Sequence, residues 1–399
     1  MSLPRQAPGR GRRVLGTLAL AGGLAAALAG GAGRVVLVVA AVSGIVVLHE
    51  LAHFVAAKRA GMKVTELFLG FGPRLWSWRR GETEYGLKAL PAGGYCRILG
   101  MTGLEAVDPA DEPRTFRQAS FASRAAVAAA GPAVHFVVAF VLLVVLYGAV
   151  GVPDPHAVAI GGFSRFRHGP SPAQAAGLRP GDVVVSVDGR PATPGGLPGL
   201  LAGHQGRPVE VVVDRGGRRL AFEVTPVSSA EELAPRGASL PPVVIGVVEQ
   251  VPYLTVGPGA ALSRAAGQLA RYPGQMARAV AQLASPRGAG SYVGQLLGRP
   301  GPSPPGQQVR VLSVVGVVRL ASQALGHRVS DALSLLAAVN VFLGMVNLVP
   351  LLPFDGGHLA VAAYERLRSR GGRRYRADVS KLVPLTVAVV ALVALVGAT

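Results

Sequence analysis

The sequence predicts a polytopic α-helical membrane protein of about four transmembrane helices with an inserted β-rich domain. Three observations predict it. Of 399 residues, 50% are hydrophobic and only 15% charged, a balance too apolar for an ordinary soluble enzyme. Several apolar runs are long enough to cross roughly 30 Å of hydrocarbon. Between the second and third runs lies a stretch rich in Gly, Pro and Val, with strand-like segments separated by turn signals. The net charge of +19 would suit nucleic acid, but the Lys and Arg residues cluster beside apolar segments. That placement suits a positive-inside topology and attraction to anionic membrane lipids. No DNA- or RNA-reading motif accompanies it, so nucleic acid is not an expected partner. The single cysteine, Cys96, excludes an intrachain disulfide and any Cys-based zinc finger.

In chain order, residues 1–34 carry Arg5, Arg10, Arg12 and Arg13 ahead of a Gly/Ala-rich stretch, Val14 to Gly33. That stretch reads as an extra span, a signal-like segment or an upstream extension from a misassigned start. Residues 35–57 form the first expected span, and Lys58, Arg59 and Lys63 after it place its C-terminal end at the cytoplasmic face. Residues 58–121 form a cytoplasmic, membrane-associated region. Its alternation over 63–69 and 83–90 predicts short strands or a hairpin lying against the membrane. The second span covers 122–150. The β-rich domain covers 155–228, with strands at Asp182–Val187, Pro208–Asp214 and Arg219–Thr225 and turns at Asp188-Gly189 and Arg215-Gly216-Gly217. Lying beyond the second span, it is expected to be extracytoplasmic.

Residues 229–330 read as a linker with amphipathic helices. The segment 259–284 carries Arg264, Arg271 and Arg278 among apolar residues, the pattern of an interfacial helix, and 300–306 is a Pro/Gly loop. The third span covers 331–357. A basic cytoplasmic loop, 358–381, holds Arg366, Arg368, Arg370, Arg373, Arg374, Arg376 and Lys381, and a final span covers 382–398. Both basic loops then fall on one side of the membrane, a consistent topology.

The chemistry is carried by His49-Glu50-Leu51-Ala52-His53, set inside the first apolar run. Residues four apart share a helix face, so both imidazoles can reach one Zn²⁺ while Glu50 lies beside the open coordination position. Three ionisable groups in such a run are costly without compensation, and a bound metal compensates them. The third expected span ends in Asn347-Leu-Val-Pro350-Leu-Leu-Pro353-Phe-Asp355-Gly356-Gly357. Prolines at this spacing break a helix, and non-helical backbone at membrane depth is tolerated only where it is buried or lines a wet cavity. Asp355 is therefore expected on an irregular, polar-accessible turn. Two imidazoles and a carboxylate leave the fourth tetrahedral position open, the arrangement of a catalytic zinc. Glu50 would take the proton from water attacking a peptide carbonyl and return it to the leaving amine. Asn347 is placed to donate a hydrogen bond to the substrate carbonyl or the developing oxyanion.

An HExxH in the first span, an NxxPxxPxDGG turn in a late one and a β-rich insert between them resemble the site-2 protease family of intramembrane zinc metalloproteases. The resemblance is closer to the bacterial branch that includes the regulator of sigma-E protease and its actinobacterial relatives. Further matching text is Gly70-Phe71-Gly72-Pro73, Pro91-Ala92-Gly93-Gly94-Tyr95 and Gly131-Pro132. The run from Ser171 to Asp182 is similar to the loop–helix signature of bacterial protease PDZ domains. The resemblance spans residues 35–225 and 310–399. It implies His49, His53 and Asp355 as ligands of Zn²⁺ and Glu50 as the catalytic acid and base. It also implies that Gly70, Phe71, Gly72, Pro73, Gly93, Gly94 and Tyr95 lie where an unwound substrate segment pairs by strand addition.

The implied activity is regulated intramembrane proteolysis of single-span membrane proteins, anti-sigma factors being the leading class. The implied location is a bacterial cell membrane, with multiple passes, the active site near the cytoplasmic face and the PDZ-like domain extracytoplasmic, where it acts as a size filter or docks a peptide or protein ligand. The chain departs from the family in one residue: His135 stands where relatives usually carry Asn. Only one PDZ-like unit is evident, where some relatives have two.

Plainer readings exist for each feature. Asn347 would serve equally to cap backbone freed by Pro350, His135 to pack helices, and Gly72-Pro73 and Gly93-Gly94 to make turns. At the level of the whole chain the rivals are a catalytically silent PDZ scaffold and a zinc transporter or sensor. A scaffold has no need to retain both Glu50 and Asp355, and a transporter requires further intramembrane ligands than His135 alone.

Overall fold

The computed structural model describes residues 32–102, 105–154, 156–229, 241–286, 290, 294, 314–369 and 375–398. The expectations for residues 1–31, for the loop at 300–306 and for Arg370, Arg373 and Arg374 lie outside the described residues. The chain divides into two compact units, Met1–Val145 with Gly259–Thr399, and Leu146–Pro258.

The first unit begins with helix α1, Gly33–Arg59, an apolar run that ends where Lys58 and Arg59 enter its last turn. Strands β1 (Val64–Arg80) and β2 (Thr83–Ile98) follow, joined at Gly81, whose φ of +61° is a left-handed turn conformation that suits glycine. The pair is longer and more folded than the short strands expected from the sequence. Glu66–Leu69 is paired on one side with Gly94–Arg97 and on the other with Glu84–Leu87, and Trp76–Arg80 pairs with Thr83–Leu87. The curled sheet therefore has Gly94–Ile98 along one edge.

Glu82, at the hairpin turn, accepts hydrogen bonds from Arg114 (2.8 and 2.9 Å) and pairs with Lys58 at the end of α1. Lys58 thus fastens the hairpin to the helix, and Arg114 fastens it to the short helical turn Glu112–Arg114. Met62, Val64, Ile98, Phe116 and Val127 pack with Ala57 in one apolar cluster beneath it.

Helix α2, Phe121–Val145, continues into a π-helical turn at Leu146–Val150. It packs against α1 and, later in the chain, against two further helices, so it is the post of this unit. Three of its buried positions, Ala128, Gly131 and Ala139, are small, which lets neighbouring backbones approach closely there.

The second unit is built on a six-stranded sheet. Its main path runs β7 (Val247–Gln250), β3 (Val158–Phe163), β4 (Val183–Val187), β5 (Val209–Arg215), β6 (Arg218–Val224), with the short strand Arg190–Pro191 beside β4. The three strands expected from the sequence are β4, β5 and β6. On β5, Val209, Val211 and Val213 are buried and Glu210 is exposed, the alternation of a strand with one covered face. The Asp188-Gly189 and Gly216-Gly217 turns all take positive φ, as tight hairpin turns require. Asp182 accepts from Arg215 Nε (2.6 Å) and Nη2 (2.7 Å) and from the Arg179 amide (2.8 Å), which ties the start of β4 to the end of β5. The sheet reaches beyond the expected limit of 228. β7 comes from sequence read as linker, because its two-residue periodicity is too short to register without its partner β3.

Back in the first unit, α3 (Pro258–Ala284) carries Arg264, Arg271 and Arg278 exposed at seven-residue spacing, with Ala261, Ala265 and Tyr272 buried. Helix α4 (Val314–His327) packs on α1 and on α5 (Val329–Asn347). The chain then turns over Leu348–Phe354 and starts α6, Asp355–Arg368.

Here the structure corrects two expectations. Asp355 is the first residue of a helix rather than part of an irregular turn, and nearly half of the expected basic loop, 358–381, is helical, to Arg368. Arg124 of α2 and Glu365 of α6 explain the helix: they pair at 2.6 Å with both side chains 11% exposed, and Glu365 also accepts from the Ala377 amide. The Gly pair has its reason in the turn. A Cβ on Gly356 would lie 2.3 Å from the Leu348 carbonyl, and one on Gly357 would lie 2.6 Å from Leu351 and Leu352 backbone.

Among the described residues, three helices are long and apolar enough to cross a membrane: Gly33–Arg59, Phe121–Val150 and Val329–Asn347. The fourth expected span forms α7, Val383–Ala398, whose 16 residues fall short of the ~20 a perpendicular crossing needs.

The Glu82 anchor yields a pH prediction. Arg114, then Lys58, holds the Glu82 carboxyl down at about 2 from its ordinary 4.5. A lowered folded-state value stabilises above the unfolded value and is lost as the pH falls through the folded one. Glu82→Gln is expected to destabilise the purified protein slightly above pH 5, by under about 1 kcal/mol because the pair is partly exposed to solvent, and to lower its Tm accordingly. The difference from wild type should vanish as the pH approaches 2, measured by thermal scans across that range.

Candidate metal centre

Helix α1 presents His49 and His53 on one face, and the turn between α5 and α6 brings Asp355 to meet them. His53 Nε2 lies 3.1 Å from His49 Nε2, and Asp355 Oδ2 lies 3.4 Å from the first histidine and 3.3 Å from the second. Among the described residues this is the group of His, Cys, Asp and Glu that could hold a metal ion. Zinc bonds of 2.0–2.1 Å at tetrahedral angles separate neighbouring ligand atoms by about 3.3 Å. The three donor atoms thus form a triangle of the size a tetrahedral zinc requires, with the fourth corner open. The donor set is also right in kind: two neutral imidazoles and one carboxylate.

Helix α2 shapes the space from behind. His53 Nδ1 donates to the Val127 carbonyl at 2.8 Å, and since that oxygen can only accept, a proton sits on Nδ1 and Nε2 is the nitrogen turned towards Asp355. Gly131 comes one turn further along the same face. A Cβ there would lie 2.3 Å from His53 Nε2 and 2.7 Å from His49 Nε2. Any side chain at 131 would occupy the place where the donor atoms converge. Gly131-Pro132 stood out in the sequence only as matching text; its role as the floor of the site depends on a contact between helices that no local pattern records.

Glu50 follows His49 on α1 and stands beside the triangle without joining it. Its neighbour is the edge of the curled sheet: a Cβ on Gly94 would lie 3.1 Å from Glu50 Cγ and 3.3 Å from Val46. Gly94 therefore lets β2 run hard against the helix at Glu50. Gly70, Gly72 and Gly93 take positive φ, and Phe71, 45% exposed, stacks on Tyr95. Tyr95 in turn donates to Glu66 at 2.6 Å. Pro73 lies in the same stretch of β1. Of the seven residues expected to face a substrate, Gly94 is thus the one set against Glu50.

Asn347 closes α5 and is half-buried, and its amide has no side-chain hydrogen bond to any described residue. The turn that follows it is held by backbone bonds, such as Leu348 N to Gly344 O, rather than by the Asn347 side chain. His135 is buried, its ring centroid 4.9 Å from that of His49, and its Nδ1 is 3.1 Å from Asn340 Oδ1. Asn340 went unnoticed in the sequence, although an amide within an apolar span is itself a signal.

Residues 37–393 match the family model described as Peptidase family M50. The zinc metalloprotease Rip1 of Mycobacterium tuberculosis (strain ATCC 25618 / H37Rv) is 36% identical, over 87% of this chain and 91% of that protein. Its namesake from Mycolicibacterium smegmatis is 34% identical, over 88% of this chain and 91% of its own length.

The place of Gly131 can be tested directly. Gly131→Ala is expected to fold and insert as the wild type does but to bind zinc at least about 10-fold more weakly, since its methyl group displaces both imidazoles. Metal content after dialysis against a graded chelator series measures this.

Proposed function

The chain belongs to peptidase family M50 and is a zinc metalloprotease, and from that premise we propose that it cleaves transmembrane segments of single-span membrane proteins within the bilayer. The observation that carries this reading is the position of the donor triangle: it lies between helices long and apolar enough to span a membrane, α1 supplying two groups and the α5–α6 turn the third. In this reading His49, His53 and Asp355 hold the zinc. The chemistry that a bound zinc supplies is polarisation of the scissile carbonyl and activation of water. The rest falls to the chain's own groups.

The Glu50 carboxylate takes the proton of the attacking water and passes it to the departing nitrogen as the C–N bond breaks. Asn347, whose amide is uncommitted, donates to the carbonyl oxygen as negative charge grows there. A transmembrane helix hides its peptide bonds in its own hydrogen bonds, so it must open before hydrolysis. The edge at Gly94–Ile98, pressed against α1 at Glu50, is the border of the curled sheet to which an opened segment can add as a strand. Phe71, Gly93 and Tyr95 line the approach, and the glycines at 70 and 72 let the neighbouring strand bend around Leu90.

The basic residues after α1 and α6 support an active site near the cytoplasmic face of a bacterial inner membrane, with the second unit, a PDZ-like domain, on the far side. There the PDZ-like domain would dock a peptide or exclude substrates whose outer portion is still large. The substrates this arrangement suits are single-span proteins already trimmed outside the membrane, with anti-sigma factors as the leading class.

A tagged single-span anti-sigma factor, truncated at its extracytoplasmic side and incorporated with the enzyme into proteoliposomes, tests the reading. Wild type is expected to cut it within the membrane segment. Glu50→Gln is expected to keep its zinc and lose about 10²–10⁴-fold in rate. Undiminished cleavage by Glu50→Gln would remove Glu50 from the proposed role, and cleavage confined to loops outside the bilayer would refute intramembrane action.

A further inference from the structure

The two histidines of the triangle are not held alike. His53 is fixed by its hydrogen bond to Val127, whereas His49 Nδ1 is buried with no hydrogen-bond partner among the described residues. Histidines that ligate metals almost always have their second nitrogen engaged, because that bond sets the ring plane and the tautomer. Something else must set the plane of His49.

We propose that His135, locked by Asn340, is the positioning residue that orients the His49 imidazole. The His49 ring touches two others: His53 edge-on, with centroids 4.7 Å apart and planes at 77°, and His135, with centroids 4.9 Å apart and planes at 45°. A flat ring in contact with two ring neighbours cannot turn about its Cβ–Cγ bond without moving one of them. His53 is pinned by Val127, so the freedom of His49 depends on how firmly His135 is held.

His135 is held firmly. Asn340 Nδ2 donates to the Leu336 carbonyl at 2.8 Å, which can only accept, so the amide orientation is settled and Oδ1 faces His135. Oδ1 accepts in turn from His135 Nδ1 at 3.1 Å, which places the His135 proton on Nδ1 and leaves Nε2 as an acceptor. Both side chains are almost wholly buried, at 3% and 1% exposure. The helices carrying them are in close contact: a Cβ on Gly344 would lie 3.2 Å from His135 Cβ and 3.1 Å from the Phe136 ring. A backbone carbonyl of α5 thus fixes an amide, the amide fixes a ring on α2, and that ring faces His49 on α1. An Asn–His pair needed only to staple α2 to α5 would have no reason to lie against a ligand ring.

This inference rests on His49 being a zinc ligand, and the experiment keeps the two apart. Zinc affinity by chelator competition, and the visible absorption of the cobalt-substituted protein, are measured on full-length wild type, His135→Ala, His135→Gln, Asn340→Leu and the double variant His135→Ala/Asn340→Leu. The Tm of each metal-free protein selects the variants that fold. The expected result is a loss of zinc affinity of about 10- to 100-fold in each folded single variant, with altered cobalt bands. The double variant should lose no more than the worse single, because both residues act through one ring. Affinities and cobalt spectra within about twofold of wild type, or losses that add, would overturn the inference while leaving the ligand assignment standing. A wild-type chain that binds no zinc would overturn the ligand assignment itself and the inference with it.

Discussion

Two imidazoles and a carboxylate facing one another inside an apolar helix bundle are costly unless something between them compensates their polarity. Much of the first unit follows from that convergence. Helix α1 must offer both histidines on one face, and α2 must come close enough to pin one of them through a backbone carbonyl, which only small residues at the contact permit. Gly131 is the extreme case, since a single methyl group there would fill the space at which the donors aim. The turn before Asp355 must fold back over its own helix, and Gly356 and Gly357 are the two positions where that leaves no room for a side chain. The buried Arg124–Glu365 pair then holds the start of α2 to α6, the helix that begins with Asp355. Breaking one partner of such a pair leaves an uncompensated charge, so this link resists relaxation of the ligand geometry.

The curled sheet answers a second constraint. A protease in a membrane needs its substrate extended, and lipid offers no water to satisfy an opened backbone. In the proposed reading an edge strand beside Glu50 answers both needs, giving an opened segment a strand to pair with. The sheet is held at its turn by Lys58 and Arg114 through Glu82, and Thr83 donates to the Val64 carbonyl, so the turn lies next to the strand that carries the Gly94–Ile98 edge.

The three proposed ligands were legible in the sequence because each belongs to a local pattern: a four-residue spacing on a helix, and a proline-broken segment followed by an acid and two glycines. The apolar runs and the hairpins at Asp188-Gly189 and Gly216-Gly217 were legible for the same reason. What local pattern cannot carry is contact between distant segments. The carbonyl of Val127, the space above Gly131 and the Asn340–His135 pair matter only because α2 and α5 pass beside α1. The strand Val247–Gln250 was read as linker because four residues mean little until β3 pairs with them. Residues 358–368 were read as part of a loop because Arg366 and Arg368 outweighed the buried face that includes Ala362.

The central claim is that one zinc sits among His49, His53 and Asp355, and X-ray absorption at the zinc edge of the purified, membrane-reconstituted protein tests it most directly. The account predicts one zinc per chain, two imidazole nitrogens and oxygen donors at about 2.0–2.2 Å, and loss of the metal in Asp355→Ala. A sulfur ligand, an imidazole count other than two, or an unchanged spectrum in Asp355→Ala would contradict it.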